Sequence, residues 1–406
     1  MQAATKRKNG NGEGSIRFNQ RTKKWEARCT FGFRPDGTAV RISRSADSEK
    51  EANKLLKEMH DEAETQKRSG IDAKNATVEE YYTRWLKARS LKLKPRSFDT
   101  LESTVQYQVL PYIGMMQLQN VTTDHLQDIL YDLIDQNYSY STIKKTYNAL
   151  TACFRYAMVR GDLVRSPMMG VVLPEKNSGV VPLPRVMQPF TLAECTMITN
   201  EASRKYRTGQ NIYRLGAMFV LMLNTGIRLG EALALKYSDI DWDKKTIHIC
   251  RSANLVKNRS AEGRAYEILI ADSVKSKSSF RYIGLNTAAI RAIEELQKVT
   301  GNHEFIATNT KGGHITGRNF AKTFFGLLQT LQIVPRGLHN LRHTFATQLF
   351  EKKVDIKYIS ALLGHSSVQI TYDTYVHIVE SQKNEAVHTI DFLDAGDVYK
   401  VINLDA

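Results

Sequence analysis

Four prolines, Pro174, Pro182, Pro184 and Pro189, fall close together near the middle of a 406-residue chain. Each fixes its own φ and removes a backbone donor, so neither a helix interior nor a central strand can run through this stretch. The chain must be built as separate bodies, and residues 171–189 read as an extended linker between two of them. A second break, SGIDAKNA (Ser69 to Ala76), is polar and contains Gly. Three bodies result, at 1–70, 76–170 and 190–379, with a tail at 380–406. At about 100 to 200 residues per domain, several domains suit this length.

The first body reads as β-β-β-α. GSIRFNQ, WEARCTFGF and TAVRISRS are short strand-like runs, separated by a polar turn at Gln20 to Lys23 and by Pro35-Asp36-Gly37. Ser48-x-x-Glu51 forms a capping box, after which Ala52, Leu55, Leu56 and Met59 recur at helical spacing in a helix ending near Arg68. So small a sheet must cover one face with that helix. The other face is left to basic side chains, Arg17, Arg28 and Arg41 among them. Residues 1–44 hold 11 Lys and Arg against three acids, a net of +8, out of +15 for the whole chain. More than half the excess charge in about a tenth of the length asks for a polyanion, and a nucleic-acid groove or backbone fits.

The second body is all-α. Thr77-x-x-Glu80 is another capping box, Val78, Tyr82 and Trp85 share a helix face, and helical patterns continue over Arg96 to Val109, Thr123 to Asn137 and Ser141 to Arg160. Ser139, Ser141, Thr142, Lys144 and Lys145 gather at the start of the last of these helices, where hydroxyls, ammonium groups and unpaired N–H groups suit phosphate contact. A capped surface helix would carry the same letters. A third capping box, Thr191-x-x-Glu194, opens the last body. It mixes helices (Tyr213 to Leu223, Thr287 to Val299, Asn340 to Lys352, Ile356 to Leu363) with strand-like pieces (Thr246 to Cys250, Ile268 to Ala271, Arg281 to Leu285), a mixed α+β and mainly helical pattern.

Several function classes find no support. No run approaches the roughly 20 apolar residues of a membrane span, and MQAATKRKNGNGEGS has no apolar signal core, so a soluble, intracellular protein is expected. Cys29, Cys153, Cys195 and Cys250 are far apart, without a C-x-x-C pair, and read as reduced thiols. No G-x-x-x-x-G-K-[ST] occurs. His339-x-x-x-His343 has zinc-like spacing but lacks the Glu of H-E-x-x-H. Neither a metal nor a cofactor is expected.

Three segments of the last body carry basic groups at helical or turn spacing: NTGIRLGEAL (Asn224 to Leu233), HNLRHTFAT (His339 to Thr347) and LLGHSSVQITYDTYVH (Leu362 to His377). Together they resemble the tyrosine recombinase, or phage integrase, family, whose boxes read T-G-x-R-x-x-E, H-x-L-R-H, and L-G-H followed by Tyr about ten residues on. VKSKSSFRYIGL (Val274 to Leu285) is similar to the family's β-hairpin Lys segment, K-x-x-S-S-x-R. The order of bodies also resembles that of conjugative-transposon integrases: a small β-β-β-α arm-binding domain, an all-α core-binding domain and a mixed α+β catalytic domain.

The residue types suit phosphodiester transfer on their own terms. The five-coordinate phosphorus of such a reaction gathers negative charge on its non-bridging oxygens, and a guanidinium answers it with fixed charge and paired donors. Arg228 and Arg342 are the candidate clamp. Glu231, three residues after Arg228, would lie on the same side of a helix and orient it. His339 and Arg342 are likewise i and i+3, and His343 reads as a packing or hydrogen-bonding neighbour. The resemblance implies that His339 is the general acid/base, that His365 donates to a non-bridging oxygen, and that Lys275, with Lys277 as the alternative, protonates the leaving 5′ oxygen. It makes Tyr375 the nucleophile, with Tyr372 the rival.

The family further implies double-stranded DNA with core-type and arm-type attachment sites, a homo-tetramer on two duplexes joined through a Holliday junction, accessory excision or DNA-bending proteins, and a place in the bacterial cytoplasm at the nucleoid. It implies a 3′-phosphotyrosine, which stores the bond energy and removes the need for a cofactor. A type IB-like topoisomerase and a DNA-binding regulator with an unused site are the alternatives.

Overall fold

Period-two alternation in KWEARC puts Ala27 and Cys29 on one strand face and Glu26 and Arg28 on the other. The computed structural model, which describes residues 14–33, 39–69, 76–182, 188–260, 265–271 and 280–375, builds the N-terminal sheet on that alternation. Strands β1 (Ser15–Asn19), β2 (Lys24–Phe33) and β3 (Ala39–Ala46) pair antiparallel in the order β1-β2-β3. Helix α1 (Glu49–Ser69) covers one face, burying Ala52 and Met59 against Ala27 and Cys29 with Ile16, Leu55 and Leu56 at the edge. Arg17, Arg28 and Arg41 are exposed, and the strand alternation sets them on the opposite face. There Arg17 pairs with Glu26 across the ladder at 3.3 Å. Lys6, Arg7, Lys8 and Arg34 lie outside the described residues.

The same unit, Met1–Arg185, holds the helical body: α2 (Val78–Ser90), α3 (Pro95–Gln108), α4 (Leu110–Ile113), α5 (Thr123–Asp135) and α6 (Tyr140–Arg160). Thr77 and Glu80 close the capping box as expected, and Val78, Tyr82 and Trp85 are buried together with Tyr81. The Tyr81 hydroxyl donates to Oδ2 of buried Asp162 at 2.7 Å, and the same oxygen accepts from Arg160 at 3.1 Å. Ser139 caps α6 and Gly161 ends it at φ +78°. Ser141, Lys144 and Lys145 are exposed on its first turns, and Thr142 is half-buried. The proline segment is not wholly extended away from its neighbours: Val171 and Val181 are buried in the helical core, and Gln127 bonds both backbone groups of Val172.

The second unit, Val186–Ala406, is arranged about α8 (Gly216–Thr225), whose sequence GAMFVLMLNT is apolar on almost every side and therefore central. Around it lie α7 (Leu192–Ala202), α9 (Leu229–Leu233), α10 (Thr287–Thr300), α11 (Gly317–Thr330), α12 (His339–Glu351) and α13 (Ile356–Leu363). Phe219 of α8 packs on Phe320 and Phe324 of α11 at ring separations of 4.7 and 5.0 Å. Strands β4 (Ile240–Asp241), β5 (Thr246–Ile249) and β8 (Arg281–Gly284) form one antiparallel sheet, and β6 (Ser252–Lys257) pairs with β7 (Tyr266–Ala271) in another. The end of the proline segment is fastened to this unit. Arg336 forks onto Glu194 at 2.7 and 2.9 Å and reaches the Pro189 carbonyl, and Asn340 holds the Gln188 carbonyl. No helix among the described residues is long and apolar enough to cross a membrane.

Trp85→Ala would empty the largest fully buried side chain of the helical body. A loss of about 3–5 kcal/mol is expected, read as an early urea transition of that body; an unchanged transition would contradict this packing.

Candidate active site

Box by box, the site grows from a turn only glycine can make. Gly226 ends α8 at φ +63°, and a Cβ there would collide with the Phe345 ring. The turn delivers Arg228 to the N-cap of α9 with extended backbone, φ −74° and ψ 153°. Arg228 and Glu231 are therefore not two residues on one helical face, as i and i+3 spacing suggested. Glu231 is the N3 residue whose carboxylate turns back on the cap: one oxygen accepts the Arg228 backbone N–H at 2.8 Å, the other its Nη1–H at 2.9 Å.

Glu231 is buried and has a further partner. Arg281, at the start of β8, donates from Nη1 to Oε1 at 3.1 Å and from Nη2 to Oε2 at 2.8 Å. Burial alone would raise the Glu231 carboxyl, but Arg281's hydrogen bonds and charge, helped by Arg228, hold it below the usual range. The carboxylate thus remains charged and fixes two cations.

The third anchor is the C-terminal end of α13, where helix carbonyls lack intrahelical partners and the helix dipole is negative. Three successive carbonyls accept from three arginines: Leu362 from Arg281 Nε at 2.6 Å, Leu363 from Arg342 Nη2 at 2.6 Å, and Gly364 from Arg228 Nη2 at 3.0 Å. Gly364 makes the turn possible at φ +65°. Arg342 also donates to the Gly226 carbonyl at 2.8 Å and is 2% exposed, whereas the Arg228 side chain is 35% exposed. Burial, with Arg228 and Arg281 beside it, lowers Arg342 to about 9, so it stays charged at neutral pH.

Four further candidates meet this cation cluster. His339, the first residue of α12, is exposed, yet loss of solvation and the charges of Arg342 and Arg228 lower its imidazole. His365 is half-buried with Nδ1 2.7 Å from the Thr371 hydroxyl, and is pushed to about 4 by burial and by Arg342, Arg228 and Arg281. His343 is buried, likewise at about 4, and its Nδ1 lies 2.8 Å from the Tyr375 hydroxyl. Tyr375 sits on a helical stretch over residues 368–375, packed on Phe350 at a ring separation of 5.2 Å. Burial raises its phenol, and Arg342 opposes that rise. Tyr372 is half-buried.

Arg228, Glu231, His339, Arg342, His343, His365 and Tyr375 are therefore brought together. Lys275, Lys277 and the tail 380–406 lie outside the described residues. Arg17, Arg28, Arg41, Ser139, Ser141, Thr142, Lys144 and Lys145 belong to the first unit. Sequence reasoning assigned no role to Arg281, although it is the terminal Arg of K-x-x-S-S-x-R, and it had no letter by which to find the three carbonyls.

Comparison with known proteins bears on the family and the fold. The phage integrase family matches residues 193–382, and the N-terminal SAM-like domain of phage integrases matches residues 77–134, together more than half of the chain. A XerC-like tyrosine recombinase of Caldanaerobacter subterraneus subsp. tengcongensis is 27% identical over 339 residues, covering 80% of this chain and 85% of that protein. The Tn1549 transposon integrase, solved in complex with circular intermediate DNA, superposes with a TM-score of 0.61 at 20% identity over 77% of this chain and 99% of that one. The lambda integrase tetramer bound to a Holliday junction superposes at 0.54 and 16% identity, over 89% and 97%. With the arginines, histidines and tyrosine of all three boxes assembled in one site, and with these matches on either side of the proline segment, the chain belongs to the phage integrase family of tyrosine recombinases.

Proposed function

We propose that this protein is a site-specific DNA recombinase of a mobile element, an integrase that cuts and rejoins duplex DNA through a 3′-phosphotyrosine at Tyr375. The observation that carries this reading is the anchoring of Arg228 and Arg342 on successive carbonyls of one turn, with the Tyr375 hydroxyl in the same cluster. Each guanidinium has five N–H donors, and the bonds described for Arg228 and Arg342 use two apiece, leaving donors for the oxygens of a scissile phosphate. Cations already placed need no rearrangement as charge develops on those oxygens.

His365 fits the same scheme. When the Thr371 hydroxyl donates into Nδ1, the ring proton sits on Nε2, which can then donate to a non-bridging oxygen. His339 stands at the solvent-facing start of α12, where it can meet the phosphate beside Arg342. Lys275 would protonate the leaving 5′ oxygen. A 5′ hydroxyl from the partner duplex then attacks the phosphotyrosine, restoring the diester and freeing the enzyme.

Bridging two kinds of site is the proposed work of the first unit. The sheet face with Arg17, Arg28 and Arg41 would hold arm-type DNA, and the start of α6 would follow the backbone of the core site. A tetramer on two duplexes, assisted by accessory excision or bending proteins in the bacterial cytoplasm, would complete the reaction. This arm module favours an integrase over a type IB-like topoisomerase, since relaxing DNA requires no distant second site.

Arg228→Ala and Arg342→Ala should bind a core-site duplex within a few-fold of the wild type and cleave about 100-fold more slowly, the loss of roughly 3 kcal/mol seen for one preorganised donor. Binding lost in step with cleavage would contradict their role. Tyr375→Phe should form no covalent adduct on a nicked duplex; an adduct that survives it would move the nucleophile to Tyr372. Deleting residues 1–70 should weaken arm-site binding and its salt dependence while leaving core-site cleavage measurable. Abolished core cleavage would overturn the proposed division of labour.

A further inference from the structure

By resemblance the acid/base histidine is His339, yet the hydroxyl of Tyr375 bonds to His343. Oη and Nδ1 are 2.8 Å apart. Burial keeps the phenol protonated, and when its O–H donates to Nδ1 the ring proton of His343 resides on Nε2. That Nε2 is enclosed and has no hydrogen-bond partner among the described residues. A buried polar nitrogen left in this way carries a cost, and the site retains it with Nδ1 turned to the tyrosine hydroxyl. His339 stands edge-on to His343, with ring centroids 4.5 Å apart at 90°.

We propose that His343 is the base that takes the phenolic proton of Tyr375 during attack on the scissile phosphate, and the acid that returns it when the phosphotyrosine is resolved. The proposal rests on the reading of Tyr375 as the nucleophile. In the forward step the Oη–P bond forms, the P–O5′ bond breaks, the phenolic proton moves to Nδ1, and the 5′ oxygen takes a proton from a separate acid, Lys275 in the scheme above. In the return step the incoming 5′ hydroxyl gives up its proton to that group, now its base, and forms the P–O5′ bond. The Oη–P bond breaks, and the proton on Nδ1 goes back to the phenolate.

The surroundings of His343 suit both directions. His339 and Arg342 face it from α12, His365 from the turn after α13, and Tyr375 from the stretch that follows. Burial and these groups keep the imidazole neutral, and a neutral ring is one able to accept. A phosphodiester entering the cluster brings the opposite charge and raises the ring's affinity for a proton at the moment one is transferred. His339 is then left as a donor to the phosphate.

The test uses the full chain and a nicked core-site duplex, with single-turnover formation of the covalent adduct as the readout. A second duplex carries a 5′-bridging phosphorothiolate, whose sulfur leaves without needing an acid. His343→Gln, which keeps a hydrogen-bonding side chain, and His343→Ala should both bind DNA normally and form adduct about 100-fold more slowly, within the range for a general base. The defect should persist on the phosphorothiolate, where Lys275→Ala recovers. Added imidazoles should restore His343→Ala in order of their basicity, which mere repacking would not produce. Faster adduct formation in His343→Ala would overturn the proposal by showing a latch that holds Tyr375 back. A defect indifferent to the basicity of the added imidazole would overturn it in favour of packing. A wild type that forms no adduct removes the Tyr375 reading itself, whereas a normal wild-type adduct unaffected by His343 removes this proposal alone.

Discussion

Three guanidiniums brought into one pocket would repel one another unless something negative lay among them. In this protein the fold supplies that counterweight: the Glu231 carboxylate bonds Arg228 and Arg281, and the carbonyls of Leu362, Leu363 and Gly364 take one bond each from Arg281, Arg342 and Arg228. The rest of the catalytic unit depends on keeping these anchors in register. Gly226 and Gly364 supply the two left-handed turns, α9 presents Glu231 on its first turn, and β8 delivers Arg281 from the sheet. Removing one member of a buried pair leaves an uncompensated charge, at a cost of about 3–5 kcal/mol, so the anchors hold the fold as well as the chemistry.

The cations of the two units differ in their exposure. The exposed arginines of the N-terminal sheet face solvent, where their attraction for a polyanion reaches outward and is screened by salt. Those of the catalytic unit are partly or wholly enclosed, so each acts at short range on a few oxygens and is screened much less. The histidines depend on the same cluster. Burial, then Arg342 and Arg228, lower the proton affinity of His339 and His365, and burial, His339 and Arg342 that of His343, so the site holds neutral imidazoles beside fixed cations.

Much of this was legible in the letters. The β-β-β-α pattern, the capping boxes at Thr77 and Thr191 and the helix read at Tyr213 to Leu223 each rest on local pattern, and the structure has them. Boundaries differ by up to three residues because propensity does not sense where packing ends. Strand β6 and helix α11 were not anticipated, since ANLVK and the polar start of GRNFAKTFF give little period to read. In the site, the boxes supplied the reactive side chains. Arg228 was misplaced on a helix because i and i+3 spacing cannot tell a helical face from a cap whose N3 carboxylate folds back. The carbonyl anchors stayed hidden for a simpler reason: a backbone oxygen is the same at every residue, and only the fold decides which ones converge.

The central claim is that this cation cluster, held by Glu231 and three carbonyls, is the phosphate clamp. Its most direct test is a crystal structure of the full chain on a nicked core-site duplex with vanadate in place of the scissile phosphate. The account predicts vanadate bonded to Tyr375 Oη and forked by Arg228 and Arg342, with both arginines still donating to the carbonyls of Gly364 and Leu363. Vanadate bound elsewhere, or arginines that leave those carbonyls to reach it, would contradict a clamp held on these anchors.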